Sequence, residues 1–262
     1  MLTRRTPISV AQAQAKVAAV PLTAATEVIP TARANHRVLA TAVLAPYDYP
    51  HFRRAGMDGY AILANDDHNF PKEFTVRGEI QAGATWTAPL RPGDAVRIMT
   101  GAFVPDDAGK VIRIEKTRPV TGQENKVRIL TSESKTNITE KGTDVKKGNV
   151  ILDKDQELNP GGLAVLTAFG IDQVTVYQRP RIAIIATGTE LLAAGAPITP
   201  GKIYNSNGLM LQRLIEENGG IVDFTVQLPD DKNRIKQVLN EQIASHDIVI
   251  TDGGVSVGDF DY

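Results

Sequence analysis

Three apolar runs in the last third of the chain each end in acid. Ile182–Ala186 leads into Thr187-Gly188-Thr189-Glu190, Ile221–Leu228 into Pro229-Asp230-Asp231, and Asp247–Thr251 into Asp252-Gly253-Gly254-Val255-Ser256-Val257-Gly258-Asp259-Phe260-Asp261. Carboxylates can move protons or hold a hard cation. Glycines at 253, 254 and 258 let backbone N–H groups approach an anion such as a phosphate or pyrophosphate. The two features make chemical sense together if Mg²⁺ bridges them, because bare carboxylates repel a phosphate. Asp230 alone reads equally well as a helix cap and the glycines as turns; the three acidic ends taken together point to a site. Two loops nearer the N-terminus, Met57-Asp58-Gly59-Tyr60-Ala61 and Arg97-Ile98-Met99-Thr100-Gly101-Ala102, place an acid and a hydroxyl beside glycines. Turn chemistry accounts for either loop on its own. Arg53-Arg54 reads as a solvated basic pair that could meet a phosphate near Asp58.

The elements that must position these residues follow from the pattern. Ile182–Ala186 is an unbroken apolar run, as expected of a strand buried on both faces. Asn207 is expected to cap a helix over Leu209–Glu217, ended by Gly219-Gly220. Ile221–Leu228 then forms a second strand, Asp230 caps a helix through about Ala244, and Asp247–Thr251 forms a third strand. This βαβαβ order predicts a parallel sheet with right-handed crossovers. In such sheets ligands bind outside the carboxyl ends of the strands, where strand order reverses, so all the acidic ends fall on one edge. From residue 46 to about 155 the segments Phe74–Arg77, Val96–Met99, Val111–Ile114 and Lys126–Leu130 predict a small β-rich domain without helices. Residues 1–45 read as short helices, one near Thr31–Asn35, before an apolar stretch Val38–Leu44. Ser9 and Gln12 form a capping-box signature for a helix ended by Pro21, favoured over a signal peptide. Asn159-Pro160 opens a helix over Leu163–Phe169, with Gly170 past its end. A three-strand parallel sheet leaves apolar faces uncovered, so the chain is expected to be part of a longer protein.

Composition narrows the chemistry. The 262 residues carry 29 basic and 30 acidic side chains, a net charge of −1. At ~150 residues per domain the length suggests one or two domains. The charge balance argues against a dedicated nucleic-acid or anionic-membrane binder. There are no cysteines, which excludes disulfides, thiol nucleophiles and thiolate metal sites. His36, His51, His68 and His246 are not spaced as a helical metal pair, so any metal would be held mostly by oxygen. No apolar run approaches the ~18 residues of a membrane span, and a cytoplasmic location is expected. No GxxxxGK[ST] string is present, and no GxGxxG follows a strand, which argues against an unrelated nucleotide-binding protein. A catalytic site and a passive binding module remain as readings. The acid set favours catalysis, because a passive anion binder would use lysines and arginines.

The ordered series of motifs resembles the MoeA family, the molybdopterin molybdenumtransferases related to the E domain of gephyrin. The matching strings are MDGYA (57–61), RIMTGA (97–102), Glu115 after VIRI, KGTDVKKG (141–148), ATGTEL (186–191), GKIYNSNG (201–208), PDD (229–231) and DGGVSVGDFDY (252–262). The resemblance implies an α/β multi-domain fold. A two-part connecting domain (1–45 and 144–178) would hold an inserted β-rich domain (46–143), followed by a three-layer, parallel-sheet MogA-like domain (179–262), incomplete at its C-terminus. It also implies a homodimer that receives its substrate from a MogA-like adenylyltransferase. The implied reaction takes adenylylated molybdopterin and molybdate, uses Mg²⁺ and releases AMP. Carried onto matching positions, Asp58, Thr100, Asp144, Glu190, Asp230 and Asp261 are the implied catalytic set. Thr187, Gly188, Gly253, Gly254, Ser256 and Gly258 would bind the pterin substrate, and Glu190, Asp230, Asp259 and Asp261 the metal. Two positions depart from the family pattern: Ala55-Gly56 replaces a Ser-Ala pair, and Gly109 stands where an acid is usual.

Overall fold

Ser9 opens the first helix, α1 (Val10–Ala18), through the expected capping box. Its hydroxyl accepts the Gln12 N–H at 3.2 Å while the Gln12 side chain accepts the Ser9 N–H at 2.9 Å. The computed structural model describes residues 8–21 and 24–253. Where short helices are expected, residues Thr26–Pro30 form a strand, β1. Its partners Gln173–Tyr177 lie far along the chain, a pairing that local propensity does not reveal. One 3₁₀ turn, Thr31–Arg33, follows where the sequence predicts a short helix.

After the two-residue strands Val43–Leu44 and Arg54–Ala55, six strands build the main sheet of this region: β2 (Gly59–Leu63), β3 (Lys72–Ile80), β4 (Asp94–Ile98), β5 (Ala108–Arg113), β6 (Thr117–Val120) and β7 (Gln123–Ile129). They form one sheet in the order β5-β2-β4-β3-β7-β6, antiparallel except between β3 and β4. Both faces are packed. Ala61, Ile80, Val96, Ile98 and Val111 fill one core, and Ile62, Phe74, Ile112, Val127 and Ile129 the other. The four segments read from the sequence as strands all lie in or overlap this sheet, and no α-helix interrupts it.

Helix α2 (Pro160–Ala168) is capped by Asn159, whose Oδ1 accepts the Gly162 N–H at 2.9 Å, and it stops before Gly170 at φ 67°. After β8 (Gln173–Tyr177), the partner of β1, the parallel unit follows: β9 (Arg181–Thr187), α3 (Ser206–Glu217), β10 (Ile221–Leu228), α4 (Lys232–Ile243) and β11 (Ile248–Asp252). Its strand order is β10-β9-β11, all parallel. Residues 182–187 of β9 are buried, as an unbroken apolar run requires of a central strand. Ile185, Leu228 and Val238 join α4 to one face of the sheet. Ile184, Ala186 and Thr225 face Leu209 and Gln212 of α3 across a groove of about 260 Å³ on the other. The unit is therefore three-layered.

Both helix caps differ from the expected ones. Asn205, not Asn207, caps α3 by accepting the Gly208 N–H, and Asp231, not Asp230, caps α4 by accepting the N–H groups of Asn233 and Arg234. In each case the backbone turns helical away from the expected residue, leaving that residue's side chain for another bond. The chain separates into two compact units. One holds the described residues up to 41 and from 154 onward, the other residues 42–153.

Candidate functional site

Strand order fixes where a site can form in the parallel unit. The first strand, β9, lies between the second and third, so order reverses between β9 and β11, and the crevice opens at their carboxyl ends. β9 ends in Thr187, which is buried, and Gly188 turns the chain at φ 153°. A Cβ at 188 would lie 2.6 Å from the carboxylate oxygens of Glu190, so glycine is what allows that carboxylate to fold back over the loop. The next residue binds the end of β10: the Thr189 N–H and hydroxyl both donate to Oδ2 of Asp230, at 3.1 and 2.6 Å. These two bonds, the hydroxyl's foremost, hold the Asp230 carboxyl below the usual carboxylate range. The cap reading of Asp230 is thereby set aside.

The third strand closes the crevice. Asp252 ends β11, and the side chain of Asn207, in the first turn of α3, donates to its Oδ1 at 3.2 Å. Gly253 sits at φ 93° with its Cα against β9, and a Cβ there would lie 2.3 Å from the Thr187 carbonyl oxygen. Lys202 donates from Nζ to the Thr189 carbonyl at 2.6 Å and so ties the strap before α3 to the same loop. Thr187, Gly188, Glu190, Asp230 and Gly253 thus share one edge of the sheet. Gly254, Ser256, Gly258, Asp259 and Asp261 lie outside the described residues. Thr189, Lys202 and Asn207 also bond at this edge, where sequence reasoning gave Asn207 only the role of a cap and Thr189 and Lys202 none. Only the GKIYNSNG and TGTE strings around them gave a signal, and neither string tells which side chain turns inward.

In the β-rich unit Asp58 and Thr100 come together. Asp58 Oδ1 accepts the Thr100 N–H and hydroxyl, both at 2.6 Å, and the hydroxyl first, then the N–H and Arg97, hold its carboxyl below the usual range. Gly59 beside it is a packing requirement, since a Cβ would lie 1.9 Å from the Ile112 carbonyl oxygen of β5. Gly109, where an acid is usual in the family pattern, is packed the same way: its Cβ would be 2.4 Å from that of Ala64. Asp144 is exposed on a separate loop, anchored by its own N–H to the Tyr49 carbonyl at 3.0 Å. Asp48 supports that loop by accepting the Lys147 N–H at 2.9 Å, which, with nearby lysines, lowers the Asp48 pKa.

Both acid–threonine pairs leave one carboxylate oxygen outside the threonine bonds, and carboxylate oxygen is the donor type that Mg²⁺ prefers. Among the described residues no three Asp, Glu or His side chains converge as a complete metal cage.

Known proteins resemble this arrangement along the whole chain. The family model for the MoeA N-terminal region (domain I and II) matches residues 8–170, and that for a probable molybdopterin binding domain matches residues 183–262. The molybdopterin molybdenumtransferase of Bacillus subtilis (strain 168) is 38% identical over 268 residues, covering 100% of this chain and 62% of its own length. That of Staphylococcus aureus (strain Mu50 / ATCC 700699) is 42% identical over 233 residues, covering 87% of this chain and 55% of its own. The chain thus spans little more than half the length of these relatives. In three dimensions a molybdopterin biosynthesis MoeA protein from Pyrococcus horikoshii superposes with a TM-score of 0.84 at 30% identity, over 96% of this chain and 65% of that one.

Proposed function

Because the chain belongs to the MoeA family, we propose that it acts in molybdenum-cofactor biosynthesis, inserting molybdate into adenylylated molybdopterin with release of AMP. The observation that supports this most is the convergence of Thr187, Gly188, Glu190, Asp230 and Gly253 at the crevice where strand order reverses. On this reading residues 179–262 bind the pterin substrate, residues 46–143 bring Asp58 and Thr100, and residues 1–45 and 144–178 connect them and carry Asp144. The enzyme works in the cytoplasm as a homodimer and receives its substrate from a MogA-like adenylyltransferase.

Each residue has a definable task. Gly188 and Gly253 let substrate and backbone approach closely at the edge, and the N-terminal end of α3 adds a partial positive charge beside Asn207. Thr189 keeps Asp230 ionised and fixed in one orientation, and Thr100 does the same for Asp58. Lys202 holds the loop that carries Thr189 and Glu190. Glu190 and Asp230 would hold Mg²⁺, whose chemistry is to offset the charge on the phosphate oxygens as the phosphoanhydride breaks.

The test is AMP release from adenylylated molybdopterin supplied with molybdate and Mg²⁺, comparing this chain with one extended beyond Tyr262. AMP released by the extended form, and lost on Asp230→Asn, supports the transferase. Tight substrate binding without AMP release by either form would overturn it in favour of a non-catalytic molybdopterin-binding or scaffolding module.

A further inference from the structure

The strap between β9 and α3 is fastened to the loop that follows β9. Leu191 and Leu192 pair in parallel with Ile203 and Tyr204, and the N–H groups of Ile203 and Asn205 donate to the carbonyls of Glu190 and Leu192, both at 2.9 Å. Lys202 therefore lies beside the Gly188-Thr189-Glu190 turn. Its side chain is half-buried, and its Nζ donates to the Thr189 carbonyl at 2.6 Å. Thr189 in turn holds Asp230 through its own N–H and hydroxyl and directly precedes Glu190. The ammonium is thus fixed to the residue that joins these two acids, yet among the described residues no carboxylate lies within ion-pair distance of it.

A strut accounts for one donor of this side chain. An ammonium carries three and no acceptor, so two remain for solvent or a ligand. A neutral amide would brace the Thr189 carbonyl as well. The charge needs a separate account, because holding a lysine in one place costs side-chain freedom and here brings it no counter-ion among the described residues. The strand ends around it carry Glu190, Asp230 and Asp252, whose charges oppose the approach of an anionic substrate.

We propose that Lys202 contacts the substrate itself, its ammonium binding phosphoanhydride oxygens that the acidic edge would otherwise repel. The inference rests on the molybdopterin reading of this crevice and adds to it a cation supplied by the chain. Lysine serves a phosphate as a point charge and needs no planar fork to do so. The bond to Thr189 holds that charge in place before substrate arrives, which lowers the ordering cost of binding. The phosphate oxygens are charged in the bound substrate and remain so as the bond breaks. The contact therefore belongs to binding more than to the chemical step, and its loss should be felt in KM rather than kcat.

Three substitutions separate the charge from the strut. Lys202→Gln keeps an N–H donor for the Thr189 carbonyl without the charge, Lys202→Arg keeps both, and Lys202→Met keeps neither. The side chain is at the surface, so all three should fold, which thermal melting checks. Calorimetry of this chain with inorganic pyrophosphate in the presence of Mg²⁺ reads the contact without turnover. The parent should bind saturably and Lys202→Arg within about threefold of it, whereas Lys202→Gln and Lys202→Met should bind about five- to twentyfold more weakly. In an extended chain that releases AMP, Lys202→Gln should raise KM by a similar factor and leave kcat within about twofold. A Lys202→Gln protein that binds pyrophosphate as the parent does would show a strut alone and overturn the proposal, as would a parent that takes up none. Weakened molybdate binding with pyrophosphate binding unchanged would assign the ammonium to the other substrate and overturn it too. An extended chain that binds substrate but releases no AMP would overturn the transferase reading instead, while the pyrophosphate series still decides the role of Lys202.

Discussion

Two carboxylates in this chain are held by one device. Oδ2 of Asp230 takes the N–H and hydroxyl of Thr189, and Oδ1 of Asp58 takes those of Thr100, across 41 and 42 residues of sequence. Each acid and each hydroxyl is visible in the sequence, but the pairing is not, because only the fold brings the loops together. The pairing has a consequence for pH. Both carboxyls titrate below their unfolded value of about 3.9, so the unfolded chain takes up protons first as the solution is acidified. Their contribution is therefore complete above that value and lost as pH falls through the folded pKa. Thr189→Val removes one donor of the pair and should bring the Asp230 carboxyl back toward its ordinary range, whereas Thr189→Ser should not. Thermal melts from pH 2 to 7 check this. The variant should melt below the parent at neutral pH and converge on it in acid, and a gap unchanged at pH 2 would refute the argument.

At the level of elements, the unbroken apolar run of β9 and the acidic strand ends make the parallel unit legible in the sequence. The caps were not, because Asn205-Ser206-Asn207 and Asp230-Asp231 each offer two candidates. The choice depends on where the backbone leaves the extended region: Asp231 is still extended at φ −109° and ψ 107°. Strand β1 was hidden for a different reason, since its partner β8 follows only after residues 42–153 in the sequence. The two aspartates should consequently respond differently to truncation. Asp231→Ala should cost α4 about 1 kcal/mol and speed amide exchange at Asn233 and Arg234. Asp230→Ala should leave those amides protected. Equal exchange in the two variants would show the cap to be misassigned. Gly59→Ala makes a harsher demand, because the added Cβ meets a backbone carbonyl rather than a side chain that could turn aside. It should destabilise the β-rich unit by about 1–3 kcal/mol or more, read as a lower urea midpoint of Trp86 emission.

On the scale of the whole molecule the chain carries two sets of cores, one in each unit. Ile62, Phe74 and Ile129 lie within residues 42–153, and Ile185, Leu228 and Val238 within the unit that includes the parallel sheet. A methylene removed from one core should be felt where its neighbours are. Ile62 and Ile185 are both fully buried, so Ile62→Val and Ile185→Val should each cost about 1 kcal/mol through lost contact and a small cavity. The single tryptophan separates the two effects, because Trp86 belongs to the β-rich unit whereas far-ultraviolet circular dichroism senses both. In urea, Ile62→Val should lower the midpoint of Trp86 emission. Ile185→Val should leave that midpoint in place and shift only the part of the dichroism transition carried by the α/β elements. If both substitutions move the emission midpoint equally, the chain unfolds as one cooperative block. The crevice at β9 and β11 would then draw its stability from the β-rich unit as much as from its own sheet.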